Sequence, residues 1–279
     1  MIDTVDVTGR LRKMPVQATE PVEYRLAIGD TRVPLNGLLG QQVRIEFGGV
    51  IRCIHCDRTT RKSFNQGYCY PCFRRLAACD SCIVSPEKCH FHLGTCREPA
   101  WGEAHCMVEH VVYLANSSGL KVGITRASQV PTRWIDQGAI EAIPMLRVAS
   151  RYLAGLVEVA CKSHVADRTN WRAMLKGAVP ELDLPTERTR LLSLIADDLD
   201  ALRRSHGEDA IRPVSEDGRA LSYPVQVWPD RIKTHNLDKT LEVEGVLEGI
   251  KGQYLILDTG VLNVRKFTGY EVRFRAGPR

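Results

Sequence analysis

The period of hydrophobic and polar positions changes several times along the chain, and each change marks an element. Over residues 22–50 the pattern alternates as in half-buried strands. Val33-Pro34-Leu35 and Val43-Arg44-Ile45-Glu46-Phe47 are its clearest runs, with Gly29-Asp30, Asn36-Gly37 and Gly48-Gly49 as turns. Residues 223–274 read the same way. Leu241-Glu242-Val243-Glu244-Gly245-Val246-Leu247, Tyr254-Leu255-Ile256-Leu257 and Glu271-Val272-Arg273-Phe274 are strand-like and broken by glycine. A shift of 229 residues lays Val33, Leu35, Leu38, Gly40, Val43, Arg44 and Ile45 on Leu262, Val264, Phe267, Gly269, Val272, Arg273 and Phe274. This echo predicts two copies of a small β unit, paired in one sheet or barrel; chance likeness between short β patterns is the competing explanation.

Between the β ends the pattern becomes mixed. Val111-Val112-Tyr113-Leu114-Ala115 predicts a strand, Asn116-Ser117-Ser118-Gly119 a turn, and Leu120-Lys121-Val122-Gly123-Ile124-Thr125 a returning strand. A helix over 131–137 stopping at Gly138, a third strand over 142–148, and a helix capped by Ser150 and running to about 164 come next. A short helix over 170–176 completes the segment. An acidic helix over about 186–205 places Leu191, Leu194, Ile195, Leu199 and Leu202 on one face. The expected class is therefore α+β. Its expected parts are a β element over 1–49, a cysteine-rich module over 50–110, an α/β core over 111–180, an acidic helical segment over 181–217 and a second β element over 218–279.

Composition narrows the function classes. With 279 residues and 44% hydrophobic content, wholesale disorder is excluded. The longest apolar run, Val111 to Ala115, falls far short of the roughly 20 residues that span a bilayer. The first residues carry two acids and no apolar stretch, so no secretory signal is expected and the expected location is cytoplasmic. Charge is unevenly spread. Residues 44–75 hold seven Lys/Arg against two Asp/Glu, residues 110–180 nine against four, and residues 181–217 five against ten. Two basic segments suit a surface that faces a polyanion, and ordinary solvation charge explains them as well.

Ten cysteines in such a chain point to metal rather than disulfides. Cys53-x2-Cys56 and Cys69-x2-Cys72 have the spacing of a zinc ribbon, in which two tight turns offer four thiolates to one structural Zn²⁺. A second set comes after it: Cys79, Cys82, Cys89, Cys96 and Cys106, with His90, His92, His105 and His110 among them. Cys79, Cys82, Cys89 and Cys96 complete one four-cysteine site. Cys106 and His110 equally offer ligands to that site or to a third. An iron–sulfur cluster uses the same thiolates, and zinc is preferred because ribbon spacing lies next door. Cys161 falls inside an apolar helix pattern and reads as a small core residue.

The β-β-α-β-α order of the middle segment, with these residues, resembles the GIY-YIG nuclease superfamily over roughly 70 residues. Val111-Val112-Tyr113 stands for the first named tripeptide and Lys121-Val122-Gly123-Ile124-Thr125 for the second. The zinc-rich flank followed by this core also resembles an uncharacterised bacterial family. The likeness implies a GIY-YIG-like core that hydrolyses phosphodiester bonds in DNA or RNA as an endonuclease. Its site residues would be Tyr113, Lys121, Arg133, Glu158 and Asn170, with one Mg²⁺ or Mn²⁺ held by Glu158. Arg126 and Arg168 would be further phosphate contacts and Trp171 a base-stacking platform; each is equally ordinary surface charge or core. Two departures, Val111 for glycine and Lys121 for tyrosine, leave open a non-catalytic module that keeps the fold and binds nucleic acid or protein.

Overall fold

The computed structural model of the protein describes residues 4–165 and 170–277. The chain begins with β1 (Val5–Arg10), β2 (Val16–Gln17), β3 (Glu23–Ile28), β4 (Thr31–Pro34) and the long β5 (Gln42–Arg52). The cysteine-rich segment holds β6 (Thr59–Thr60), α1 (Tyr70–Arg75) and α2 (Pro99–His105), joined by single 3-10 turns. Then come β7 (His110–Asn116), β8 (Leu120–Arg126), α3 (Thr132–Asp136), β9 (Glu141–Val148), α4 (Arg151–Lys162) and α5 (Trp171–Leu175). The acidic stretch forms α6 (Leu184–Leu194) and α7 (Ala196–His206), followed by the short β10 (Ile211–Pro213) and β11 (Arg219–Ala220). The chain ends with β12 (Glu242–Lys251), β13 (Tyr254–Leu257), β14 (Gly260–Asn263) and β15 (Tyr270–Gly277).

The two β ends form one body. Their main sheet runs β1-β15-β5-β12-β13-β14, and β2-β3-β4 form a companion sheet. The repeat seen in the sequence is present in three dimensions. Leu26 pairs with Val33 in one hairpin, and their counterparts Leu255 and Leu262 pair in the other. A 3-10 turn follows each hairpin, at Asn36–Leu38 and at Val264–Phe267. The chain then enters β5 or β15, and these two strands pair antiparallel with Ile45 opposite Phe274. Residues 1–49 and 218–279, which the echo leads one to expect in one sheet, do share one, each half supplying a central strand to the other.

Inserted between them is an antiparallel sheet, β10-β9-β7-β8, with β11 also on β9. The predicted hairpin, helices and third strand all form within a few residues of their expected bounds. Ser150 caps α4, its hydroxyl accepting from the Leu153 N–H at 3.3 Å. One face of this sheet (Val111, Tyr113, Ala115) joins the core of the β body through Trp134 and Ile135. Its other face (Val112, Leu114, Val122) is covered by α4, α6 and α7. The expected single acidic helix bends at Ile195, which is fully buried; Leu191, Ile195 and Leu199 face the core, whereas Leu194 is 48% exposed. The bend lets two short helices track the sheet, and β10 and β11 beyond them complete it. Burying side chains of this size contributes about 1.5–3 kcal/mol each.

One core position is a cation. Lys251, at the end of β12, is fully buried, and its Nζ lies 5.1 Å from the ring centres of both Tyr223 and Trp228. Burial pulls its pKa down to about 8. Aromatic faces on two sides give the ammonium an electrostatic partner where water is excluded.

Candidate functional site: a four-cysteine centre and a basic cleft

Cys53 follows β5 directly, Cys56 sits on the next turn, Cys69 precedes α1 and Cys72 lies within it. The four sulfurs all lie within 4.8 Å of one another, and those of Cys56 and Cys69 are 3.7 Å apart. Tetrahedral coordination with Zn–S bonds of about 2.3 Å separates sulfurs by roughly 3.8 Å. Burial opposes the Cys53 thiolate, but N–H groups of Cys56, Cys69 and His55 point at it and bring its pKa to about 6. Burial and then the neighbouring sulfurs push Cys72 up. Four clustered thiols cannot all ionise without a cation, and these four are placed to hold a zinc ion.

The second set divides differently from the expected grouping. Cys79 packs with Cys53, Cys69 and Cys72, because the turn after α1 folds it back over the first centre. Cys82, Cys89, Cys96 and Cys106 line one pocket instead. His110 is buried in β7, where its Nδ1–H donates to the Val108 carbonyl at 2.7 Å, and belongs to neither group.

The predicted core residues cluster at the β8 edge of the α/β sheet. Tyr113 pairs with Gly123, and its ring lies across that glycine: a Cβ there would stand 2.5 Å from Tyr113 Cζ. This explains the glycine of the second motif. The Tyr113 hydroxyl, fully buried, donates to Gln137 Oε1 at 2.7 Å. Burial drives its pKa up to about 12, Arg133 works against that rise, and Glu158 adds to it. Arg133 and Glu158 thus both act on the Tyr113 hydroxyl, but none of these three residues lines the cleft that Lys121 and Gln137 reach. Lys121 pairs with Ala115, which puts it on the same sheet face as Tyr113 and Gly123.

Lys121 and Gln137 open onto a cleft of about 620 Å³ between the cysteine-rich segment, the α/β sheet and the β body. Lys62, Lys121, Arg265 and Lys266 bring positive charge to it. Two carboxylates are already engaged: Asp136 by Lys13 and by Gln253 Nε2 at 3.0 Å, and Asp238 by the Tyr270 hydroxyl at 2.6 Å. Trp171 lines the cleft stacked on Tyr254, with ring centres 5.8 Å apart and planes 4° from parallel; Arg172 lies 4.4 Å above the indole.

Other predicted residues lie elsewhere. Asn170 caps α5, its side chain accepting from the Ala173 N–H at 3.1 Å while its own N–H donates to Ser118 Oγ at 2.9 Å. Arg126 falls on the opposite face of β8 from Lys121, and its charge reaches Cys106 and His110 rather than the cleft. Arg168 lies outside the described residues. No one-dimensional pattern singles out Gln137, Tyr254, Arg265, Lys266 or Lys62, which meet only through the fold.

The profile of a protein family described as a protein of unknown function (DUF2797) matches residues 40–272, and the chain belongs to that family. The match spans the second half of the first β repeat, the cysteine-rich segment, the α/β sheet and nearly all of the second repeat. No curated protein and no solved structure matches. No helix among the described residues is long and apolar enough to cross a membrane.

Proposed function

We propose that the protein processes nucleic acid held in the cleft. The observation that carries this reading is the cleft's lining: Lys62, Lys121, Arg265 and Lys266 share it with the stacked aromatic side chains Trp171 and Tyr254. Backbone phosphates attract lysine and arginine, and a base stacks on an aromatic face at about 1–3 kcal/mol. A small neutral ligand has no use for Lys62, Lys121, Arg265 and Lys266 together.

Hydrolysis is the sharper form of the reading; Arg133 and Glu158, whose charges both act on the Tyr113 hydroxyl behind the cleft wall, are its candidate residues. Lys121 and Arg133 would hold the scissile phosphate, Arg133 in bidentate fashion. Tyr113, buried and held by Gln137, would position its neighbours rather than take a proton. Glu158 belongs to no metal-holding group of three among the described residues. A single carboxylate supplemented by substrate phosphates and water is an ordinary donor set for Mg²⁺. When bound, the metal would stabilise charge on the leaving oxygen.

Binding to fluorescent single- and double-stranded DNA and RNA, over a range of salt, tests nucleic-acid recognition. The expected affinity falls steeply with salt, and Lys121→Glu or Arg265→Glu lowers the salt slope by about one. Affinity that ignores salt would sink it. Incubation of the same substrates with Mg²⁺ or Mn²⁺ tests hydrolysis, and equal cleavage by wild type and Glu158→Ala would refute it.

A further inference from the structure

The turns that follow α1 carry an inference independent of the cleft. We propose that Asp80, Cys82 and His90 hold a second zinc ion, in a centre distinct from the four-cysteine site.

The 3-10 turns of this segment bring the three residues together. Asp80 and Cys82 flank Ser81 at the turn Ser81–Ile83, and His90 immediately precedes the turn Phe91–Leu93. A carboxylate oxygen of Asp80, the Cys82 sulfur and a ring nitrogen of His90 all lie within 4.8 Å of one another. Asp80 and Cys82 are buried, and His90 is half-buried. All three line a cavity of about 10 Å³, which has room for one atom the size of a water molecule.

Hydrogen bonds around His90 leave a gap between acceptors. The Thr95 hydroxyl has one proton and gives it to the carbonyl of His90, 3.3 Å away. Its oxygen therefore accepts from His90 Nδ1–H, 2.7 Å away. With the proton on Nδ1, a neutral His90 turns the lone pair of Nε2 toward Asp80 Oδ2 at 3.4 Å. Two acceptors face each other there, and the Cys82 sulfur lies beside them. Oxygen and nitrogen ligands at about 2.0–2.2 Å from a tetrahedral zinc stand roughly 3.3–3.5 Å apart, which is the separation found. A protonated His90 would pair with Asp80 without a metal, but such a pair gives Cys82 no part.

The groups behind the three ligands also suit a metal. Ligating histidines donate their second N–H to a fixed acceptor, and ligating carboxylates are themselves held by hydrogen bonds. Asp80 Oδ1 accepts from the Ser81 N–H at 2.6 Å, and Oδ2 pairs with Arg97 Nε at 2.8 Å. Arg97 is fixed in turn, because it donates to the Phe73 and Leu76 carbonyls at 3.3 Å. A carboxylate, a thiolate and an imidazole form a mixed donor set that zinc accepts. Three protein ligands leave a fourth position, filled by water or by one of the thiols of Cys89, Cys96 and Cys106 that line the same cavity.

The test uses the full chain kept reduced, loaded with zinc and freed of excess metal, with zinc per chain measured by mass spectrometry. Wild type should hold two ions. Cys82→Ala and His90→Gln should each hold one, and that remaining ion shows that the four-cysteine centre still folds. A single ion in wild type would overturn the proposal, as would two ions in either variant. Should a variant lose both ions, Thr95→Val decides, since it removes only the exposed acceptor of the Nδ1–H. Its second ion should bind about 10–100-fold more weakly in competition with a chromogenic chelator. Unchanged affinity in Thr95→Val would refute the site.

Discussion

Ile45 and Phe274 stand directly opposite each other in the β5–β15 ladder, and each is the other's counterpart under the 229-residue repeat. The pseudo-twofold axis of the β body passes between them. Both are buried in one core, so Ile45→Ala and Phe274→Ala should each destabilise by about 2–5 kcal/mol. Their cavities merge, and the double variant should depart from the sum of the single effects by at least about 0.5 kcal/mol. Urea unfolding of the four proteins measures this; strict additivity would mean that the two sites do not share a packing unit.

Gly123→Ala places a methyl against the Tyr113 ring, whose hydroxyl is fixed by Gln137. The ring cannot rotate away without breaking that hydrogen bond. A loss of about 1–3 kcal/mol is expected, typical of forced overpacking. Adding Tyr113→Ala should recover part of it, and failure of this rescue would show that the glycine serves something other than the ring.

Lys251 gives a pH dependence of defined sign. Its folded pKa, about 8, lies below its ordinary value of 10.5, so between these values the unfolded chain binds the extra proton. Stability from this group is fully present above about 10.5 and is lost as pH falls to about 8, by up to about 3 kcal/mol. The unfolding free energy of the wild type relative to Lys251→Met should therefore rise with pH across that window. Methionine fills the same space between Tyr223 and Trp228 without charge, so the difference cancels the opposing effect of the buried thiols and tyrosines.

Zinc removal should act locally. A strong chelator or Cys69→Ser is expected to release the zinc ion of the four-cysteine centre and unfold the segment around residues 53–72, since metal supplies on the order of 10 kcal/mol to such modules. The β body has its own core and should keep its far-ultraviolet circular dichroism. Collapse of the whole signal on chelation would show that the centre supports the entire chain.

Much of this molecule is legible from local pattern alone. The hairpin at Tyr113 and Gly123, the Ser150 cap and the four-cysteine centre each depend on residues within about twenty positions of one another. Even the β repeat shows itself, because equivalent registers demand equivalent spacing. The cleft is hidden for the opposite reason. Lys62, Lys121 and Arg265 are some 200 residues apart at the extremes, and nothing in a one-dimensional pattern reports that a sheet edge and a 3-10 turn face each other. Cys79 misleads because Cys-x2-Cys spacing with Cys82 suggests a shared ion, whereas the chain turns between them, packing Cys79 against the first centre and leaving Cys82 in a separate pocket.

The repeat also relates this cleft to a second hollow in the β body. Gln253, Tyr254, Asn263 and Arg265, on its β wall, are the duplicates of Tyr24, Arg25, Pro34 and Asn36. Those four line a second hollow, on the other half of the β body. The repeat thus presents two equivalent faces, one of which also meets the cysteine-rich segment and the α/β sheet. The two faces differ in charge: Arg265 and Lys266 line the first, whereas Glu20 and Glu23 join Arg25 on the second. That second hollow keeps the plan of the cleft's β wall without its excess of cations, a built-in reference surface within the same chain.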